Sequence, residues 1–186
     1  HVILIEHAAF PSDRYAVVSQ IQWHGLDPAA SLVQIAPRPG EQLLRHEDLV
    51  AEIERIGSRL ALVLMPGIQY LTGQLLDIGG LAGAARAVGA MAGFDLAHAM
   101  GNVPLALHHW GADFAAWCSY KYLNGGPGAT AGAFVHERHF EADLPRLAGW
   151  WGNDLANRFE FGTEFRPYAG AAGWQVSNTP LLGMVP

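Results

Sequence analysis

The sequence holds one cysteine, Cys118, among 186 residues. That excludes an internal disulfide framework and a multi-cysteine zinc site, and it predicts a reducing, cytoplasmic setting. Positive charge is also scarce: 11 Lys and Arg stand against 17 Asp and Glu, for a net charge of −6. No basic run stands out, so binding nucleic acid through a charged surface is excluded. No apolar run is long and clean enough to cross a membrane. The longest early uncharged stretch, Leu60 to Leu76, is broken by Pro66, Gly67, Gln69, Gly73 and Gln74, whereas a span needs about 20 mostly apolar residues. Charged residues make up only 15% and hydrophobic ones 51%, the reverse of a disordered composition. Repeats, low-complexity tracts and linkers are absent. The start at His1 and the stop at GMVP predict a single domain over 1–186 that is incomplete at both ends.

What is present is an alternation of short apolar runs with helical patterns. Val2–Glu6 (VILIE), Leu32–Ile35 (LVQI) and Leu60–Met65 (LALVLM) read as buried strands, as do Ala92–Leu96, Phe114–Tyr120 and Ala131–His136. Pro11 and Ser12 signal a helix start, with Tyr15, Val18 and Ile21 or Gln22 on one face up to Gly25. Leu49, Val50, Ile53 and Ile56 mark an amphipathic helix over His46–Arg59. Asp77–Ala90 reads as a closely packed, small-residue helix, and a further helix is predicted around Arg138–Leu147. Strand–helix–strand order of this kind predicts an α/β domain with a mainly parallel sheet flanked by helices. Ligands of such sheets bind beyond the carboxyl ends of the strands.

Two residues at those ends carry the chemistry. Asp95 ends an apolar strand in GFDLAHA, and Lys121 follows another in FAAWCSYKYLNGGPG. An amine and a carboxylate at neighbouring strand ends suit pyridoxal phosphate: the lysine condenses with the aldehyde, and the carboxylate keeps the pyridine nitrogen protonated. The glycines of Gly125–Gly132 allow close approach and sharp turns. Each residue also has a plainer reading. A lone lysine after a strand is ordinarily solvated, and a lone aspartate there ordinarily caps a helix. GGPGATAG lacks the GK[ST] of a phosphate-binding P-loop, and His136–His139 is one residue short of the HExxH zinc motif. His108 and His109 read as loop surface, and Cys118, alternating with apolar residues along a strand, as a buried structural thiol.

The stretch GFDLAHAMGNVPLALHHWGADFAAWCSYKYLNGGPGATAGAFVHERH resembles kynureninase, a fold-type-I enzyme that uses pyridoxal phosphate. The likeness extends to FPSDRYAVVSQIQWHGL, PGIQYLTGQ, LAGWWGND and GWQVSN, in order along nearly the whole chain. It implies hydrolysis of kynurenine or 3-hydroxykynurenine to an anthranilate and L-alanine, in tryptophan breakdown and NAD precursor supply. It also implies the large cofactor domain of that fold. Lys121 would then bond the cofactor and move the substrate's α-proton, with Asp95 on the pyridine nitrogen and His98 beside it. Tyr120 would meet the phosphate and assist proton transfer. Phe10, Pro11, Ser12 and Asp13 would wall the site, with Phe10 on the ring. Trp150 and Asn178 would reach a neighbouring subunit's cofactor, which implies a homodimer with shared sites.

Three positions depart from the family pattern. Asn153 stands where members often carry His, which leaves the aromatic-ring preference open. Pro66 stands where some have a phosphate-binding Ser, and proline offers neither hydroxyl nor N–H. His109 replaces an acid. A cysteine-desulfurase-like lyase is the alternative within chemistry, and a non-catalytic remnant that binds a partner is the alternative outside it.

Overall fold

The computed structural model describes residues 1–184. Its centre is a six-stranded sheet. The strands are β1 (Val2–Glu6), β2 (Leu32–Ile35), β3 (Leu60–Pro66), β4 (Met91–Asp95), β5 (Phe114–Trp117) and β6 (Gly132–Val135). Their order across the sheet is β2-β1-β3-β4-β5-β6. The first five run parallel, and β6 returns antiparallel to β5. The helices α1 (Pro11–Trp23), α2 (Pro28–Ser31), α3 (His46–Ile56), α4 (Ile78–Ala87) and α5 (Leu107–Trp110) fill the crossovers. The mainly parallel α/β architecture is the one its strand–helix alternation dictates. No helix of the described residues is long and apolar enough to cross a membrane.

Alternating side chains divide the core between the two faces of the sheet. Leu4, Val63 and Met65 meet Leu49, Ile53 and Ile56 of α3 and Leu81 and Ala85 of α4 on one face. Ile5 and Leu64 meet Val17 and Ile21 of α1 on the other. Full burial of each such Leu or Ile stabilises by about 2 kcal/mol. In α4 the small residues have a visible purpose: a Cβ at Gly79 would stand 3.2 Å from the Trp110 ring of α5. Asp77 caps that helix, its Oδ1 accepting from the Gly80 N–H at 2.9 Å.

Three expectations need correction. The α1 face that packs is Val17 and Ile21; Tyr15 is exposed, because a helix with little contrast between faces does not announce which side is buried. The predicted strand Phe114–Tyr120 stops at Trp117. Beyond it Ser119 draws the chain into a turn, its carbonyl accepting from Gly125 and its hydroxyl donating to the Thr130 carbonyl. The helix expected around Arg138–Leu147 is only a 3-10 turn, Glu137–His139. Pro145 removes an N–H and disfavours helical backbone before it. Arg138 and His139 are instead committed to Asp113, at 2.8 and 2.6 Å.

Candidate active site

A cavity of about 410 Å³ opens at the carboxyl ends of β1, β3, β4 and β5. β4 and β5 are parallel neighbours, with Asp95 opposite Ala116. The residues that follow them therefore meet. Lys121 Nζ lies 2.9 Å from His98 Nε2. With the amine as donor, Nε2 accepts and the ring proton is carried on Nδ1. Burial, and then the Lys121 charge, hold His98 below its ordinary pKa, with Asp95 opposing. The Lys121 amine also stands 5.8 Å from the centre of the Phe10 ring and 6.0 Å from that of Tyr120.

Two carboxyls share the cavity. Asp95 Oδ1 accepts from the Ala97 N–H at 2.8 Å, which fixes the turn after β4. Asp13, in the first turn of α1, faces it. The Asp13 pKa is pushed up to about 7 by burial, by the Asp95 charge, by its hydrogen bond with Asp95 and by Glu6, with Lys121 opposing. Burial and the neighbouring carboxylate thus favour the protonated form of Asp13 far more than is usual for an aspartate. FPSD does not cap its helix: the N-cap is Phe10, without a side-chain cap bond, and Pro11 takes the first helical position. Asp13 is turned to the cavity, Ser12 also lines it, and Pro11 does not.

Two residues passed over in the sequence belong here. Glu6, 4% exposed, lines the cavity at the end of β1. Burial raises its pKa, and a hydrogen bond from Gln69 pulls the other way. Tyr70 lines the cavity too, its ring edge-on to Phe10 with centres 5.4 Å apart. The one signal for Glu6 was an acid closing an otherwise apolar run. Cys118 is also corrected: it sits one residue past β5, half-buried, on the cavity wall. Its hydrogen bond, then its charge, raise the Tyr120 pKa.

Trp150 and Asn178 do not line this cavity. Both lie on the turn-rich segment after β6. The Trp150 indole N–H donates to the Arg158 carbonyl at 2.9 Å, and its ring lies parallel to Phe161. Asn178 is exposed, and its Oδ1 accepts from the Ser177 hydroxyl. Asn153 Oδ1 accepts from the Arg166 N–H at 2.9 Å, also away from the cavity. His108 and His109 are exposed as expected, but on α5, where His108 pairs with Glu137 at 3.0 Å.

The lining fits the ring and aldehyde of pyridoxal phosphate: an amine, a carboxyl pair and an aromatic wall face one space. It fits the phosphate less well. Pro66, at the end of β3, has no donor to offer, and the described lining contains no arginine. Its lining phenols are Tyr70 and Tyr120. The loop beyond turns through Gly126 and Gly128, both at positive φ, where a side chain would be strained.

A model of the aminotransferase class-V family matches residues 18–163. A curated kynureninase from Koribacter versatilis is 56% identical over 185 residues, 99% of this chain and 44% of the relative. The chain thus spans less than half the length of that relative. Among solved structures, the cysteine desulfurase CsdA from Escherichia coli superposes with a TM-score of 0.74 at 17% identity, over 97% of this chain and 42% of its own. A K223A mutant of the lyase C-DES, with glycine covalently linked to its PLP cofactor, gives 0.71 at 16%, over 95% and 44%. These likenesses show the fold, which is that of the fold-type-I large domain.

Proposed function

The chain belongs to the aminotransferase class-V family, and on that premise we propose that it is the cofactor domain of a pyridoxal-phosphate-dependent kynurenine hydrolase. Its substrate is L-kynurenine or the 3-hydroxy form, and its products are the anthranilate and L-alanine. The observation that carries this reading is the Lys121 amine, 2.9 Å from His98, in one cavity with the Asp13–Asp95 pair. Identity of 56% to a kynureninase over 99% of the chain supports the substrate class. A desulfurase-like lyase is less supported, since that likeness rests on 17% identity.

When bound, pyridoxal phosphate supplies an electron sink next to the substrate's α-carbon. The chain's own residues do the rest. Lys121 Nζ would hold the group by condensing with its aldehyde, with loss of water, and as a free amine it would carry the α-proton. His98 Nε2 holds that amine in place between the two strand ends. Asp95 would pair with the ring nitrogen, and Asp13, protonated more readily than an ordinary aspartate, would steady Asp95 as a hydrogen-bond donor. Phe10 would form an aromatic wall for the ring, while Leu64, Phe94 and Phe114 add apolar lining to the cavity. The Tyr120 hydroxyl serves the phosphate and a proton transfer. Trp150 and Asn178, outside their own cavity, serve that of a second copy in a cytoplasmic homodimer.

The test is to mix the purified protein with pyridoxal phosphate, reduce with borohydride and locate the adduct by peptide mass spectrometry. The expected result is a stoichiometric adduct on Lys121, lost in Lys121→Ala, followed by anthranilate release from kynurenine by the full-length protein. Adducts scattered over other amines, or none, would overturn the assignment of Lys121. An adduct without anthranilate release would overturn the substrate.

A further inference from the structure

We propose that Gln69, anchored on Glu6, is the positioning residue for the aromatic wall of the cavity formed by Tyr70 and Phe10. The inference deepens the reading above, because the wall matters most if a flat ring lies against it.

Gln69 is 4% exposed, and its amide uses both ends fully. Nε2 donates to Glu6 Oε1 at 3.3 Å and to the Ala8 carbonyl at 3.2 Å. Oε1 accepts from the Leu71 N–H at 2.6 Å, the Thr72 N–H at 2.9 Å and the Thr72 hydroxyl at 3.4 Å. One side chain therefore closes the turn after β3 upon itself and ties it to the loop after β1. The backbone supports the same turn: Gln69 N–H donates to Gln74 and Gly73 N–H to Gln69, both at 2.9 Å. Tyr70 rides on that turn and meets Phe10, which follows the tied loop, at 5.4 Å and 89° between ring planes. Lys121 Nζ stands over the other partner of this contact, Phe10.

A buried amide with all its donors and acceptors satisfied fixes its neighbours, since any movement strands polar groups away from water. Gln69 touches neither the cavity nor its amine. It acts through Tyr70 and Phe10, as outer supporting residues act on the groups that contact a ligand. Glu6 is needed as an acceptor, not as a charge. Its conservative amide variant should therefore suffice, which separates this role from a titrating one.

The experiment uses the full-length protein and two readouts. The first needs no cofactor: the 19F resonance of 3-fluorotyrosine placed at Tyr70. One narrow line is expected in the parent and in Glu6→Gln, and a shifted, broadened line in Gln69→Leu. Gln69→Asn, one methylene too short to reach Glu6, is expected to match Gln69→Leu, and it covers the case in which the leucine variant fails to fold. The second readout is the visible circular dichroism of added pyridoxal phosphate, with its dissociation constant. The Gln69 variants should weaken binding about tenfold and flatten the dichroic band, while the borohydride adduct on Lys121 persists. A Tyr70 line unmoved in Gln69→Asn would overturn the proposal, as would loss of the line in Glu6→Gln. Failure of the parent to form a Lys121 adduct would sink the cofactor reading, while a line moved in the Gln69 variants would still uphold the role of Gln69 at the wall.

Discussion

The Lys121 amine meets the His98 imidazole at 2.9 Å, each carried on the chain just beyond one of two neighbouring parallel strands. The imidazole is held below its ordinary pKa by burial and then by the lysine's charge. Replacing Lys121 by Met removes that charge and leaves the nearby Asp95, which favours the protonated ring. The His98 titration midpoint, followed by NMR, should therefore lie below about 6.5 in the parent protein and rise in Lys121→Met. A midpoint that stays put would mean that the two side chains do not share a proton field in solution.

The central strands of this sheet were legible because they are largely buried and so read as apolar runs, VILIE and LALVLM above all. Asp95 was legible for the same reason, as a polar residue closing such a run, whereas Lys121 lies four residues past the end of β5, beyond the turn at Ser119. Asp13 beside Asp95 was harder. Its local pattern is that of a helix start, and only the parallel register of β1, β3 and β4 turns it toward residue 95. Gln69 and Glu6 were hidden for a related reason, being a single amide in a loop and a single acid in an apolar strand, joined by a contact 63 positions apart. The segment after β6 followed no period at all. Scattered partners hold it, such as Trp150 on the Arg158 carbonyl and Arg146 over the Trp174 ring, and such pairings leave no repeat in sequence.

Asp113 gives the fold an acid-sensitive joint. It is 8% exposed, and its carboxylate accepts from the Ala92 N–H at 2.7 Å, Arg138 Nε at 2.9 Å and His139 Nε2 at 2.6 Å. Burial works to raise its pKa. The bonds from Ala92, His139 and Arg138 together outweigh burial and hold it low. A depressed carboxylate adds stability above its unfolded pKa and loses it as pH falls through the folded one. Asp113→Ala should destabilise by about 3 kcal/mol, because it leaves the buried Ala92 N–H, the Arg138 guanidinium and the His139 ring nitrogen without their partner. Urea unfolding at pH 7 measures this directly. The gap between variant and parent should narrow toward pH 3, and a loss below about 1 kcal/mol would show that the joint is not what fastens β6 and its following turn to β4.

Asp13 has the opposite sign. Its pKa is pushed up to about 7, first by burial and then by Asp95, whereas an unfolded aspartate ionises near 3.9. Between roughly pH 4 and pH 7 the unfolded chain has lost this proton and the folded one has kept it. Stability contributed by Asp13 is thus greatest at low pH, declines through that window and levels off above it. Because Asp13 is only partly buried, solvent screening keeps the effect well below the full linkage value. Asp13→Asn keeps a hydrogen-bond donor toward Asp95 and abolishes the titration. Thermal melts from pH 4 to pH 8 should therefore show a smaller decline for the variant than for the parent, with the two curves diverging most near neutrality. Parallel curves would mean that Asp13 ionises normally and does not hold a proton against Asp95. In that case Asp95 would face the cavity without its neighbour's support, and the pairing proposed for the ring nitrogen would rest on Asp95 alone.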